Sequence, residues 1–315
     1  MSIVTEARPI VPTLGPEAVL AAAHAARCGP GTGPDGATSP SASPSPALEL
    51  AEDAMLHVGV DLGTAYVVVV AVDGTGRPLA VASRFATVVR DGVVVDVAGA
   101  TALVRELVGE VQARTGRRLT TAATTYPPGV PLAEVRACRY VVESAGLECT
   151  ALVDEPTAAN AVLRRRDGAV VDIGGGTTGV AVLRDGEVVA VYDDPTGGTH
   201  VSLVLAGHLG ISLEEAEVVK TDPARQAALL PVIRPVFDKI GILVADHLAD
   251  HDVDQLHLVG GTAAYPGIDE VVAERVGRPV VVASHPLLVT PLGVALHDVG
   301  APAEHTHQRL EVGHG

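Results

Sequence analysis

Tryptophan is absent from this 315-residue chain, and phenylalanine occurs only twice. With so few aromatic rings, no base-stacking surface for single-stranded nucleic acid is expected. Lysine is nearly missing too: Lys220 and Lys239 are the two among 22 basic residues, and the net charge is −16. A chain this acidic repels nucleic acid and anionic membranes. Its basic run, Arg164 to Arg166, falls where a predicted helix ends and cations suit the dipole. Three cysteines, Cys28, Cys138 and Cys149, make no even framework and point to reduced thiols of a cytoplasmic protein. No basic segment leads into a long apolar stretch at the N-terminus, so no signal peptide is expected. No apolar run approaches the roughly 20 residues that span a bilayer.

What is present falls into four parts. Residues 1–54 are expected to be a disordered tail, with a short alanine-rich helix over Ala18 to Arg27 and a Pro/Ser/Gly linker over 29–47. From Met55 the texture turns to dense Val, Gly and Asp. Apolar runs predict strands near 56–60, 66–72, 78–84, 121–125, 169–173, 179–184, 187–192 and 256–259. Helices are predicted over 99–114, 132–145, 157–165, 199–208, 213–220, 224–248 and 267–276. Strand hairpins alternating with helices predict an α/β fold, with mixed sheets flanked by helices. The expected division is lobe I over 55–167, completed by 290–300, lobe II over 168–289, and a polar His-containing tail over 301–315.

Two segments repeat one chemical idea. Asp61-Leu62-Gly63-Thr64 and Asp172-Ile173-Gly174-Gly175-Gly176-Thr177 each join two apolar runs. A bare glycine turn lets backbone N–H groups close on a phosphate. The flanking carboxylates suit a hydrated Mg²⁺, which keeps several waters and takes one or two carboxylates beside phosphate oxygens. Two such hairpins, about 110 residues apart, suggest a duplicated fold gripping a nucleotide between its halves. Further segments support this. Asp154-Glu155-Pro156-Thr157 places acids at a strand end and Pro156 at a helix start. Leu258 to Thr262 runs an apolar strand into Gly260 and Gly261, Glu217 and Lys220 share one helix face, and Thr290 to Leu296 reads as a small-residue hinge helix.

This ordered set resembles the actin-like ATPase superfamily, which includes DnaK-type chaperones, MreB, FtsA and sugar kinases. Its phosphate-1, connect-1, phosphate-2, adenosine and connect-2 segments fall at 58–72, 153–163, 169–184, 256–267 and 290–297. Within the superfamily the chain is similar to the EutJ family of ethanolamine-utilisation proteins. VVRDGVVVDVAGA (88–100), VVESAGLE (141–148) leading to LVDEPTAAN, and VVDIGGGTTGVAVL (170–183) carry the likeness, as does TGGTHVSLVLAG (196–207) ahead of ISLEEAE. The resemblance implies an ATP-binding, slowly ATP-hydrolysing, chaperone-like accessory to ethanolamine breakdown, associated with a bacterial microcompartment. An MreB-like filament former, or a small-molecule kinase of the superfamily, is the alternative.

By the same resemblance Asp61 and Asp172 hold Mg²⁺ through water, and Glu155 positions the attacking water. Gly63, Thr64, Gly174, Gly175, Gly176, Thr177, Gly197 and Gly198 contact phosphates. Glu217 and Lys220 contact the adenosine, and Gly260 and Gly261 its ribose–phosphate side. The chain departs from the pattern in having no lysine before Lys220, where DnaK-type chaperones use one in the first lobe. Arg84 and Arg90 are the candidate substitutes, and slow turnover is expected because a phosphate-directed cation in a dry site stabilises the transition state. No β-rich peptide-binding domain of the DnaK type is expected after the last segment. Any client is therefore expected to be gripped by the two lobes or the N-terminal appendage. The resemblance implies an ethanolamine-pathway enzyme or the microcompartment shell as that client, and Ala18 to Arg27 resembles the encapsulation helices that route enzymes into such compartments.

Overall fold

A computed structural model of the chain describes residues 9–28, 55–90, 92–128 and 130–299. The linker expected over 29–47 and the tail over 301–315 lie outside the described residues.

Helix α1 (Pro16–Cys28) precedes a first sheet built from β1 (His57–Leu62), β2 (Tyr66–Val72), β3 (Pro78–Phe85), β6 (Thr121–Tyr126) and β7 (Glu148–Asp154). The strand order is β3-β2-β1-β6-β7. The first three strands form an antiparallel meander, while β6 and β7 join in parallel. A small hairpin, β4 (Val89–Arg90) with β5 (Val93–Val94), leads into α2 (Val97–Thr115), and α3 (Leu132–Ser144) follows β6.

The second sheet repeats this plan. It holds β8 (Gly168–Ile173), β9 (Thr178–Arg184), β10 (Glu187–Asp194), β11 (Leu256–Val259) and β12 (Val280–Val282), in the order β10-β9-β8-β11-β12. Again a three-strand meander is extended by two parallel strands. Its helices are α5 (Gly198–Leu209), α6 (Leu213–Thr221), α7 (Pro223–His247) and α8 (Ile268–Val276). Matching order and direction in both sheets make this the actin-like ATPase fold, a duplicated α/β architecture.

The sequence of each strand follows from where its faces lie. Along β2, Val67, Val69 and Ala71 enter one core with α2 and α3, while Val68, Val70 and Val72 enter another. With both faces covered the strand reads as a continuous apolar run without alternation. The second of these cores lies between the sheets. It joins β2 and β3 to α4 (Glu155–Leu163), α9 (Val289–Leu296) and Val170, Leu183 and Val259 of the second sheet. Small residues let α9 approach closely on both sides. A Cβ at Gly59 of β1 would stand 2.5 Å from the Pro291 carbonyl, and one at Gly293 would collide with the Ala158 carbonyl of α4. Beyond α9, Asp298 accepts from Val58 N–H at 2.8 Å and from the Thr150 hydroxyl at 2.6 Å, tying the segment after α9 to the first sheet.

The short helix expected over 18–27 is present as α1, but residues 9–28 pack onto the body instead of trailing as part of the disordered tail expected over 1–54. Val19, Leu20 and Ala23 are at most 1% exposed and sit in the core between the sheets, against Val68, Val70 and Leu292. Ile10 N–H donates to Leu296 O at 2.8 Å, and the Arg164 guanidinium donates to the carbonyls of Pro12 and Leu14. Burying two large aliphatic side chains contributes about 2 kcal/mol each. That helps to offset the cost of ordering a helix too short to persist alone. The apolar face an encapsulation helix would offer to a shell is thus already covered by the chain itself.

Candidate functional site

The two acidic–glycine turns meet. A Cβ built at Gly175 would lie 2.8 Å from Ala65 Cβ and 2.9 Å from Ala65 N, so the turn after β8 rests directly against the turn after β1. Both border a cleft of about 750 Å³. Asp61, Gly63, Thr64, Glu155, Asp172, Gly174, Gly175, Gly176, Thr177, Glu217, Lys220, Gly260 and Gly261 all line it.

The second turn is held from behind. The Gly174 carbonyl accepts from Gly198 N–H at 3.0 Å and from the Thr262 hydroxyl at 2.8 Å, and the Gly175 carbonyl accepts from Thr199 N–H at 2.7 Å. In a trans peptide the carbonyl and the following N–H point opposite ways. Anchoring these carbonyls to the start of α5 therefore turns the N–H groups of Gly175 and Gly176 away from α5. Gly197 and Gly198 do not line the cleft, unlike the phosphate-contacting glycines expected from sequence. They form the backing of the loop: a Cβ at Gly197 would stand 2.8 Å from the carbonyl oxygens of both Gly174 and Gly175. Their small size is needed for close approach, one step behind the ligand space.

The carboxylates form a mutually repelling group. Burial pushes Asp172, 5% exposed, up to about 6, although the Thr290 hydroxyl donates to its Oδ2 at 2.5 Å. Burial and then repulsion from Asp172 raise Asp61 to about 7, opposed by the Thr125 hydroxyl at 2.9 Å from Oδ1. Glu155, at the start of α4, is pushed well above its ordinary range by desolvation and then by Asp172, Asp61, Asp193 and Asp154. Asp193 of β10 rises to about 7, mainly through burial, and its Oδ1 has no hydrogen-bond partner among the described residues. Such a set favours a bound cation, which would lower every one of these values. Among the described residues no group of three or more His, Cys, Asp or Glu side chains is arranged to enclose a metal. Two carboxylates, Asp61 and Asp172, facing open cleft fit a hydrated Mg²⁺ completed by water and phosphate oxygens.

Across the cleft, Glu217 and Lys220 of α6 are nearly buried, with the Lys220 ammonium donating to Glu217 Oε2 at 2.6 Å and to Gly198 O at 3.2 Å. The Ser202 hydroxyl gives Glu217 Oε2 a further bond at 2.6 Å. Burial lowers the Lys220 pKa, opposed by Glu217. Gly260 takes a left-handed φ of 89°, and a Cβ there would strike the Asp172 carboxylate. Tyr265, Gln226 and Asp269 complete this side. None of the three carries a sequence signal of its own.

Arg84 and Arg90 do not fill the place of the missing lysine. The Arg84 guanidinium pairs with Glu106 and Glu110 on α2, and neither arginine lines the cleft. Thr290 and Thr125, which hold the two aspartates, lie 118 and 64 residues from them and only the fold brings them there.

Comparison with known proteins agrees with this fold. The family model of the cell division protein FtsA matches residues 169–293, and that of the MreB/Mbl protein matches residues 82–209. The ethanolamine utilization protein EutJ of Salmonella typhimurium is 43% identical over 246 residues, which is 78% of this chain and 86% of that protein. The crystal structure of EutJ from Carboxydothermus hydrogenoformans superposes with a TM-score of 0.74 at 48% identity, covering 77% of this chain and 90% of that one. MreB5 of Spiroplasma citri, solved bound to AMPPNP, shares the fold at TM-score 0.61 and 19% identity, covering 76% of this chain and 94% of its own. With this identity and coverage, the chain belongs to the EutJ family of ethanolamine utilization proteins, within the actin-like ATPase superfamily.

Proposed function

We propose that this protein binds ATP with Mg²⁺ in the cleft between its two sheets, hydrolyses it slowly, and serves as a chaperone-like accessory to ethanolamine utilization. The observation that carries the reading is the contact of the two acidic–glycine turns, Ala65 against Gly175, at the edge of a cleft that holds every acid the chemistry needs. Asp61 and Asp172 would hold the metal through water, and bound Mg²⁺ supplies charge neutralisation to the phosphates. The N–H groups of Gly175 and Gly176 would meet phosphate oxygens, as glycine turns do. Glu155, pushed well above its ordinary range by burial and then by its acidic neighbours, is suited to orient a water and accept its proton. Catalysis is positioning and electrostatics, as in other phosphoryl transfers.

The family supplies the pathway. The name of the relatives is ethanolamine utilization protein. The client would be an enzyme of that pathway or the shell of its microcompartment, with no role for nucleic acid or membrane. Among the described residues no helix is long and apolar enough to cross a membrane. Shell docking through residues 18–27 would require α1 to leave its own core, so a client is gripped more readily by the lobes. The test is release of inorganic phosphate from Mg-ATP by the full chain, alone and with ethanolamine-pathway enzymes or shell added. Slow release stimulated by one of these, and abolished in Glu155→Gln, supports the reading. Transfer of phosphate to a small molecule, or assembly of ATP-dependent polymers, overturns it in favour of a kinase or a filament.

A further inference from the structure

Helix α1 reaches the mouth of the cleft. Its apolar face is anchored between the sheets by Val19, Leu20 and Ala23, and its C-terminal turn brings His24 and Arg27 into the cleft lining beside Tyr66. On the opposite side His285 stacks on His24, with ring centroids 4.1 Å apart and planes 10° from parallel. The helix thus crosses from β3 of the first sheet to the turn after β12 of the second.

The charges lining the cleft are unbalanced. Asp61, Glu155, Asp172, Glu217 and Asp269 face Lys220 and Arg27. Lys220 is held by Glu217 at 2.6 Å, whereas Arg27 makes no ion pair among the described residues. Arg27, Tyr66 and Glu217 line the same cleft, where burial and then Glu217 raise the Tyr66 phenol and Arg27 opposes them. Among the described residues, the cation without an ion pair that a polyphosphate entering this acidic cleft would meet is Arg27.

We propose that Arg27 is a phosphate-binding residue of the cleft, delivered from the N-terminal helix in place of the first-lobe lysine that the chain lacks. The inference rests on the nucleotide reading above and adds to it a ligand contact from outside the duplicated core. A guanidinium presents a planar fork of donors suited to phosphate oxygens, and charge-assisted bonds of this kind are the strong ones. Docking of α1 then serves two purposes: it covers the apolar seam between the sheets and fixes the base of the arginine near the ligand.

The test measures affinities for ATP, ADP and adenosine, with Mg²⁺ for the nucleotides, on the full chain and on Arg27→Ala, Arg27→Gln and Arg27→Lys. Arg27 is part-exposed, and each ligand-free variant should melt with the parent. The expected result is a loss of about tenfold or more for ATP in Arg27→Ala and Arg27→Gln. ADP should lose less, adenosine should be unchanged, and Arg27→Lys should be intermediate. Unchanged ATP affinity in Arg27→Ala, or equal losses for ATP and adenosine, overturns the phosphate contact while leaving the nucleotide reading in place. A parent chain that binds no adenine nucleotide overturns both.

Discussion

Replacing Asp172 by Asn should make the ligand-free protein more stable while destroying its use of Mg-ATP. The carboxylate sits at the end of β8, 5% exposed, with one bond from the Thr290 hydroxyl that an Asn side-chain oxygen can equally accept. Raising this group from 3.8 to about 6 reflects an electrostatic cost of roughly 3 kcal/mol once it is ionised in the fold. The amide avoids that cost and relieves Asp61 and Glu155 of a neighbouring charge. Urea denaturation without nucleotide should therefore find Asp172→Asn more stable than the parent by about 1–3 kcal/mol at about pH 8. The difference should shrink as the pH falls and be small near pH 3, where the parent's carboxyl is neutral in the fold and largely so in the unfolded chain. Added Mg-ATP should stabilise the parent by mass action and leave the variant unmoved. An Asn variant less stable than the parent at both pH values would refute the reasoning, since the carboxylate would then be a favourable structural group rather than a charge awaiting a cation.

Other outcomes follow from the same structure. Asp61, Asp172 and Asp193 are all raised from 3.8 to about 6–7, so the folded state binds more protons than the unfolded chain between about pH 4 and 7. Ligand-free stability should accordingly fall as the pH rises through that window, in urea titrations at successive pH values. Mg-ATP binding should release protons near pH 6.5, read by calorimetry as a binding heat that changes with the ionisation enthalpy of the buffer. Gly197→Val, outside the cleft, should press on the Gly174 and Gly175 carbonyls, costing roughly 1–3 kcal/mol of stability and weakening ATP binding about tenfold. Leu20→Ala should destabilise the full chain by about 3 kcal/mol in urea, because Leu20 is fully buried. A tail that merely trails from the body would show no change.

The parts of the fold legible in sequence are those whose signals are local. Val67 to Val72 announces a strand buried on both faces, and Asp172 to Thr177 announces its turn, because each pattern is complete within a few residues. Strand β7 is harder: Glu148 and Thr150 interrupt its apolar run, and its pairing to β6 is what makes it a strand. The short β12, three valines after Arg278-Pro279, escapes for the same reason. Within the site, Asp61, Glu155 and Asp172 stand out as acids beside turns or a helix start. Thr125, Thr290 and Asp193 do not, since nothing near them in sequence shows which carboxylate they will face. Arg27 is the extreme case. An alanine-rich helix ahead of a Pro/Ser/Gly segment looks like an appendage, and only the burial of Val19, Leu20 and Ala23 between the sheets brings its arginine to the cleft. Gly197 and Gly198 show the converse: the glycines were visible, but their place behind the loop follows from the hydrogen bonds of α5.

Calorimetric titration of ATP into the full chain, with and without Mg²⁺, tests the central claim most directly. The structure predicts one nucleotide per chain, an affinity that collapses when the metal is chelated, and no binding to Asp172→Ala. Binding that ignores the metal and survives loss of Asp172, or no binding at all, would contradict a cleft built to clamp a magnesium nucleotide between two facing turns.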